Sequence, residues 1–425
     1  MTAETDPRLE DRPVKVLLVC TRDPRGRMSG RKMVLRTIIE SLVALGHQVT
    51  IAYFGEPEVH GAGPDTDQNT YVALPHPSLF DRLPGALRWL FVGSVSLNEA
   101  LYHSRRAEAA LIHLAHTSKA DVVITDMLRT AQYGARLGLP WVADLDDLLS
   151  RRYANLAEGY TAQSNLLGYY QSRFGQVVLK FGARLMPSVL RREAAAAQRR
   201  EIEVARLANV TTLVSTTEAA ALTKASGCKV WNAPMAVPGP AELPALTGRS
   251  EGLVFVGGLD YGPNLKSVLQ FDKLIYPALA NVGQADLSLH VIGHTAGKSG
   301  QFSDAVILDG YVDDLDAAVQ SYRAMLVPEV VPGGVKTKII VGALNGTIVV
   351  AHRTALYGMG LQHGVDVLAW ETSAELAEQL RLLRQGAYDL DAMARAARMW
   401  AQNHYSPEVL TQTWRQILGT AMSQA

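Results

Sequence analysis

The stretch VPEVVPGGVKTKIIVGALNGTIVV, residues 327–350, sets Gly333 and Gly334 just before Lys336 and Lys338, at the start of an apolar run that reads as a buried helix. A helix beginning near Val335 offers unpaired backbone N–H groups and a partial positive charge at its N-terminus. The glycines let the backbone approach a bulky anion, and lysines beside it add charge. In a regular helix the two lysines point about 200° apart, so both reach one ligand only from a first turn or loop; the alternative is a solvated pair. A second cluster, WVADLDDLLSRRY, places Asp144, Asp146 and Asp147 after an apolar strand. A carboxylate at a strand's carboxyl edge can take or orient a hydroxyl proton. Its alternative use is an N-cap or a salt bridge to Arg151 or Arg152. Asp126, which ends DVVITD, is a candidate of the same kind, and His294 in VIGH is either a polar ligand contact or a satisfied loop histidine.

The elements that must position these residues alternate in type. The run VKVLLVC reads as a strand, RDPRGRMSGRK as a polar loop, MVLRTIIESLVALGH as a helix stopped by Gly46, and QVTIAYF as the next strand. This β-loop-α-β order is the unit of a parallel, doubly wound sheet. DVVITD and WVADLDD continue it with the helix TAQYGARLG between them, and VTTLVST follows a long helical region. Pro and Gly crowd NAPMAVPGPAELPALTGRSEG, which reads as a linker. The rhythm then restarts with the strands LVFVGG, LSLHVIG, AVILDG, YRAMLVPE and TIVVAH. The expected fold class is α/β, with two Rossmann-like doubly wound domains at 1–230 and 231–400. A C-terminal helix at 401–425 should pack back on the first domain through Val409, Trp414 and Leu418. In such sheets ligands bind at the carboxyl ends of the strands, here in a cleft between the domains.

Bulk properties narrow the function. The 425 residues hold 41 basic and 41 acidic side chains and are 48% hydrophobic, a soluble-globular composition. Zero net charge argues against a dedicated nucleic-acid binder. Two distant cysteines, Cys20 and Cys228, make no disulfide framework, and Cys20 ends a strand as a buried thiol. The histidines lack the spacing of a metal site. The N-terminus is polar and acidic, unlike a signal peptide, and no apolar run approaches the ~20 residues of a spanning helix. A cytoplasmic home is expected. From Gly159 to Arg192 there is no acidic residue, while Arg173, Lys180, Arg184, Arg191 and Arg192 are basic. Leu167, Tyr170, Phe174, Val178, Phe181 and Leu185 recur there at helical spacing. Such a stripe fits a helix in a membrane interface, with RLPGALRWLFVGSV, through Trp89 and Phe91, as a second contact; a core-facing stripe is the alternative.

Taken in order, FVGGLDYGPNLKSVLQFDKLIYPAL, LHVIG, VILDGYVDDLDAAVQSYRAMLVPE and the 327–350 stretch resemble the nucleotide-sugar glycosyltransferases of the GT-B fold, family 4 or "glycosyl transferases group 1" type. Gly333, Gly334, Lys336, Lys338, Gly346, Val349 and Val350 hold the family's glycine–lysine pattern, and Ser29, Gly30 and Arg31 stand where its first loop contacts the donor. The resemblance implies two domains facing a cleft, with the acceptor on the first and a nucleotide diphosphate sugar on the second. Gly257 and Gly258 would line the phosphate loop, with Asp260, Tyr261 and Asn264 nearby. Gly310 and Tyr311 would meet the base, unless Tyr311 belongs to the core. The departing diphosphate would be stabilised by Lys336, Lys338 and Arg31, with no metal and no cofactor, since the nucleotide-sugar is a substrate. Retention of configuration and a lipid-linked or glycan acceptor in bacterial surface glycan synthesis are the expectations. The sequence departs from the pattern at Val341, where relatives carry an acidic residue for the ribose, and at Gly258, where they carry arginine. A silent GT-B subunit and a sugar-nucleotide 2-epimerase are the other readings.

Overall fold

Short runs of valine, leucine and isoleucine bounded by polar loops become central strands because both faces of a parallel sheet are covered by helices. The computed structural model of the chain describes residues 13–25, 30–55, 69–91, 95–158, 176–298, 300–329 and 335–424. It divides into one unit of residues 1–236 with 407–425 and a second of residues 237–406. The divisions fall six residues beyond those read from the sequence, after β7 at one and at the end of an uninterrupted helix at the other.

The first unit runs β1 (Lys15–Cys20), α1 (Gly30–Ala44), β2 (Gln48–Phe54), β3 (Asn69–Leu74), α2 (Leu79–Phe91), α3 (Leu97–Tyr102), α4 (Arg105–Ser118), β4 (Val122–Asp126) and α5 (Met127–Gly134). It continues with β5 (Trp141–Asp144), α6 (Leu149–Glu158), α7 (Gln176–Leu207), β6 (Val210–Leu213), α8 (Thr216–Ser226) and β7 (Val230–Asn232). Its seven strands are parallel in the order β3-β2-β1-β4-β5-β6-β7. The direction of strand addition therefore reverses between β1 and β4, the topological switch point of a Rossmann sheet. Residues 159–175, and the side chains of 176–185, lie outside the described residues, so most of the basic apolar stripe does too.

The second unit runs β8 (Ser250–Val256), α9 (Gly262–Gln270), one π-helical turn (Phe271–Ile275), α10 (Tyr276–Asn281), β9 (Leu289–Ile292), β10 (Val306–Gly310), α11 (Leu315–Gln320) and β11 (Tyr322–Val327). Then come α12 (Thr337–Leu344), β12 (Ile348–His352), β13 (Leu368–Trp370), α13 (Ser373–Arg384) and α14 (Leu390–Tyr405). Its six strands are parallel in the order β10-β9-β8-β11-β12-β13, with the switch point between β8 and β11. The chain then returns to the first unit as α15 (Pro407–Ser423), which packs on α1. Leu410, Trp414, Ile417 and Leu418 are buried there, while Val409 is half-buried. Among the described residues, no helix is long and apolar enough to cross a membrane.

Candidate functional site

At the switch point of the second sheet the loops after β8, β9 and β10 are laced together by backbone bonds. Gly257 N donates to Ile292 O at 2.9 Å, Leu259 N to His294 O at 2.7 Å, and Gly293 N to Gly310 O at 2.7 Å. Gly257 and Gly293 have φ of 155° and 141°. A Cβ on Gly293 would stand 2.8 Å from the Gly257 carbonyl carbon, so only glycine allows this approach. Glu329 follows β11 and pairs with Lys338 Nζ, both side chains being largely buried. Lys338 also donates to Asn264 Oδ1 at 3.0 Å and lies 4.3 Å from the Phe255 ring centroid. Asn264 Nδ2 in turn donates to Gly258 O at 2.9 Å. One polar chain, Glu329–Lys338–Asn264–Gly258, thus bridges the β8–β11 crevice. Burial lowers the Lys338 pKa and Glu329 opposes that shift.

Several sequence expectations are revised here. The helix starts at Thr337 rather than near Val335, because Lys336 has extended backbone and occupies the N-cap position. Lys338 is held by an internal carboxylate, Glu329, that nothing in the sequence pattern marked. Asn264, expected only near the phosphate loop, sits inside α9, and its amide links that loop to Lys338. Tyr311 is 82% exposed and so is no core residue, beside Gly310 at φ 79°. His294 is half-exposed, its Nδ1 3.8 Å from Asp260 Oδ1. Ser29, Gly333 and Gly334 lie outside the described residues.

The switch point of the first sheet is filled by its own ions. Arg31, buried on α1, places Nη2 2.5 Å from Asp126 Oδ1 and 2.7 Å from Asp144 Oδ2, with Nη1 2.9 Å from Asp146 Oδ1. Thr21, next after β1, donates N and Oγ1 to Asp126 Oδ2, each at 2.7 Å, and Thr212 Oγ1 donates to Asp144 Oδ1 at 2.9 Å. Arg31 is therefore a clamp between strand ends, and its guanidinium is committed to three aspartates instead of being offered to a donor. Burial alone would lower its pKa, but Asp126, Asp146 and Asp144 hold it well above the ordinary value. Burial pushes Asp126 up, but Arg31 and the Thr21 bonds outweigh it and its pKa is lowered.

The three predicted aspartates have separate fates. Asp144 is buried between Arg31 and Thr212, and Asp147 pairs with Arg152 at 2.5 Å, one of the two arginines expected. Asp146 is half-buried at φ 66°, and Met127, right after Asp126, has φ 63°. Left-handed backbone at a residue with a Cβ costs roughly 1–3 kcal/mol and persists where the surroundings over-determine it. Burial pushes Asp146 up to about 7; Arg31 opposes, and Asp147, Asp144 and Asp126 add to the rise. A carboxyl poised near neutrality is suited to moving a proton. The same loop is pinned from behind: Glu218 accepts from Leu148 N at 3.4 Å, and Glu201 from Ser150 N at 3.0 Å and Ser150 Oγ at 2.5 Å. Among the described residues, no group of three or more His, Cys, Asp or Glu is arranged to hold a metal ion.

Residues 250–385 match the family described as glycosyl transferases group 1, over β8 to the end of α13. The second unit carries a group 1 glycosyltransferase domain. No curated protein matches the chain. Solved structures similar to it include HepE of Anabaena in complex with UDP, at 13% identity and a TM-score of 0.63, covering 95% of this chain and 98% of that one. Sucrose-phosphate synthase from Thermosynechococcus elongatus is similar at 14% identity and 0.65, over 95% and 98% of the two chains. WaaG, a glycosyltransferase involved in lipopolysaccharide biosynthesis, gives 14% and 0.58, over 95% and 99%. These likenesses establish the GT-B fold. The glycine-laced crevice lies wholly within the matched domain, whereas the Arg31 clamp lies outside it. Sequence reasoning missed Thr21, Thr212, Glu201, Glu218 and Glu329; a polar residue directly after an apolar strand was the available signal for Thr21.

Proposed function

We propose that the chain is a cytoplasmic glycosyltransferase that moves a sugar from a uridine diphosphate sugar to a lipid-linked or polysaccharide acceptor of a bacterial surface glycan. The observation that carries this reading is the crevice at the β8–β11 switch point, where glycine backbone, Lys338 and the start of α12 converge inside the group 1 domain. Ligands of doubly wound sheets bind at that point, and a helix N-terminus with lysine at its cap favours a diphosphate. The uridine choice is supported by HepE, solved with UDP and with UDP-glucose. The surface-glycan acceptor is supported by the likeness to WaaG, which takes part in lipopolysaccharide biosynthesis. Donor contacts are assigned to Gly257, Gly258, His294, Gly310, Tyr311, Lys336 and Lys338, with Gly333 and Gly334 alongside. Asp146 is the candidate proton-handling group, Asp144 its neighbour in the clamp. Retention of configuration follows the family resemblance, and the nucleotide-sugar serves as substrate with no resident cofactor.

Calorimetry with UDP, GDP and dTDP tests the donor site. Lys336→Ala should weaken binding of the preferred nucleotide by ~1.5–3 kcal/mol, the worth of a charge-assisted contact. Lys338 is better probed as Lys338→Met with Glu329→Gln, since removing Lys338 alone would leave a buried carboxylate unpaired. Unchanged affinity in both would overturn the assignment. A chain that binds nucleotide-sugar without turnover is the second reading. It is favoured by Val341, a buried apolar residue of α12 where the family places a carboxylate, and by the engagement of Asp126 and Asp144 with Arg31. Binding without hydrolysis or transfer over a panel of acceptors would select it.

A further inference from the structure

We propose that α2 is a membrane-surface docking helix that binds anionic lipid headgroups with its apolar face in the interface. Phe80, Leu83, Leu87 and Phe91 are 87%, 57%, 46% and 76% exposed. At about 100° per residue these four positions fall within about 80° of one another on the helix. Exposed apolar side chains are ordinary when scattered, but a contiguous stripe of this kind marks an interaction surface. The opposite side of α2 is the one turned to the protein. A Cβ on Gly85 would stand 2.8 Å from the Ala100 Cβ, so α2 rests directly on α3 at that glycine. Trp89, half a helical turn away from the stripe, has the Arg192 guanidinium 5.4 Å from its ring centroid, and its carbonyl accepts from Arg192 Nη2 at 2.9 Å. Trp89 thus faces α7, and Phe80 and Leu83 take the outward role expected of it.

Charge selects the partner. Arg88 on α2, Arg105 and Arg106 at the start of α4, and Arg191 on α7 are exposed. Of the acidic residues on the neighbouring elements, Glu99 is buried against Arg200, and Glu193 is buried, accepting from Ser96 Oγ and Leu97 N, while the more accessible Glu108 and Glu203 are paired with Arg136 and Arg200. Asp81 on α2 is tied to Ser78 N and Oγ, with Arg106 acting on it. A chain with 41 basic and 41 acidic residues has no overall basic excess, so exposed arginines around an apolar stripe are a local feature. An apolar stripe flanked by exposed arginine, Arg88 on α2 itself and Arg106 acting on Asp81 of the same flank, is complementary to an anionic bilayer, where stem and ring enter the interface and guanidinium meets phosphate.

The inference does not depend on the transferase reading, because vesicle binding is measured without turnover. Sedimentation of the full chain with vesicles of phosphatidylcholine plus phosphatidylglycerol, against phosphatidylcholine alone, tests it at low and high salt. Partition should favour the anionic vesicles and fall with salt. Phe80→Ser with Phe91→Ser should lower it by about tenfold or more, from the apolar surface lost. Arg88→Ser with Arg106→Ser should lower it about tenfold and remove most of the salt dependence. These side chains are exposed, so unchanged thermal melts should accompany both losses. Wild-type protein left in the supernatant with anionic vesicles at low salt overturns the proposal, as does unaltered binding by the phenylalanine variant. Self-association of the wild type that the phenylalanine variant abolishes, with no vesicle binding, overturns it in favour of a second copy of the chain. An active transferase that ignores vesicles refutes this inference alone.

Discussion

Asp146 differs from its neighbours through its surroundings, since Asp126 and Asp144 carry the same side chain. Both of those are buried on Arg31 and a threonine, whereas Asp146 keeps partial exposure and is pushed up to about 7, by burial first. If it accepts a proton in transfer, the group must be ionised, so kcat/KM should rise with pH through about 7. Asp146→Asn should lose that limb and about 10²-fold in rate, with UDP affinity retained. A pH-rate profile of both forms, with calorimetry alongside, measures this. Asp144→Asn should act differently: it loosens the clamp, so a fall in melting temperature should accompany any fall in rate.

At the scale of elements, α6 depends on two buried carboxylates at its N-terminus. Glu201 and Glu218 are each pushed up to about 7 from 4.5, mainly by burial, with Asp147 adding to both and the Ser150 and Leu148 bonds opposing. Between those values the folded chain binds more protons than the unfolded one, so stability falls as pH rises from about 4.5 to about 7. Glu201→Gln and Glu218→Gln should each flatten this slope, seen as a smaller loss of melting temperature between about pH 5 and about pH 8. Asp126, with its lowered pKa, works in the other direction and only at more acid pH. The last helix makes a simpler case. Trp414 is fully buried among Leu410, Ile417 and Leu418, so Trp414→Ala should cost about 3–5 kcal/mol, read in a denaturant melt.

At the scale of the molecule, the two units differ in how the chain builds them. The second is one contiguous run, 237–406, while the first needs a tail that arrives only after the second is complete. A fragment of residues 237–406 should therefore fold alone and bind UDP, whereas residues 1–236 without α15 should melt lower than the first unit does in the full chain. Circular dichroism of the two fragments and calorimetry on the former check this. The apolar face of α15 explains the asymmetry, because removing it uncovers α1 and the ends of central strands.

The sequence by itself determined the central strands and their helices, since runs such as VKVLLVC and TIVVAH are apolar on both faces and can only be interior. It also indicated which loops matter, through glycines and charges placed directly after those strands. It did not reveal β3, β7 or β13: two of these have only three residues, and β3, at a sheet edge, buries only Leu74 fully. What each charge does was decided by the fold. Arg31 and Lys338 both read as contacts of the donor diphosphate, and the sequence marked no internal partner for either, but Arg31 meets partners 95 and 113 positions away in Asp126 and Asp144. Lys338 meets Asn264 74 positions away. Strand order brings these residues together, and spacing along the chain carries no record of it.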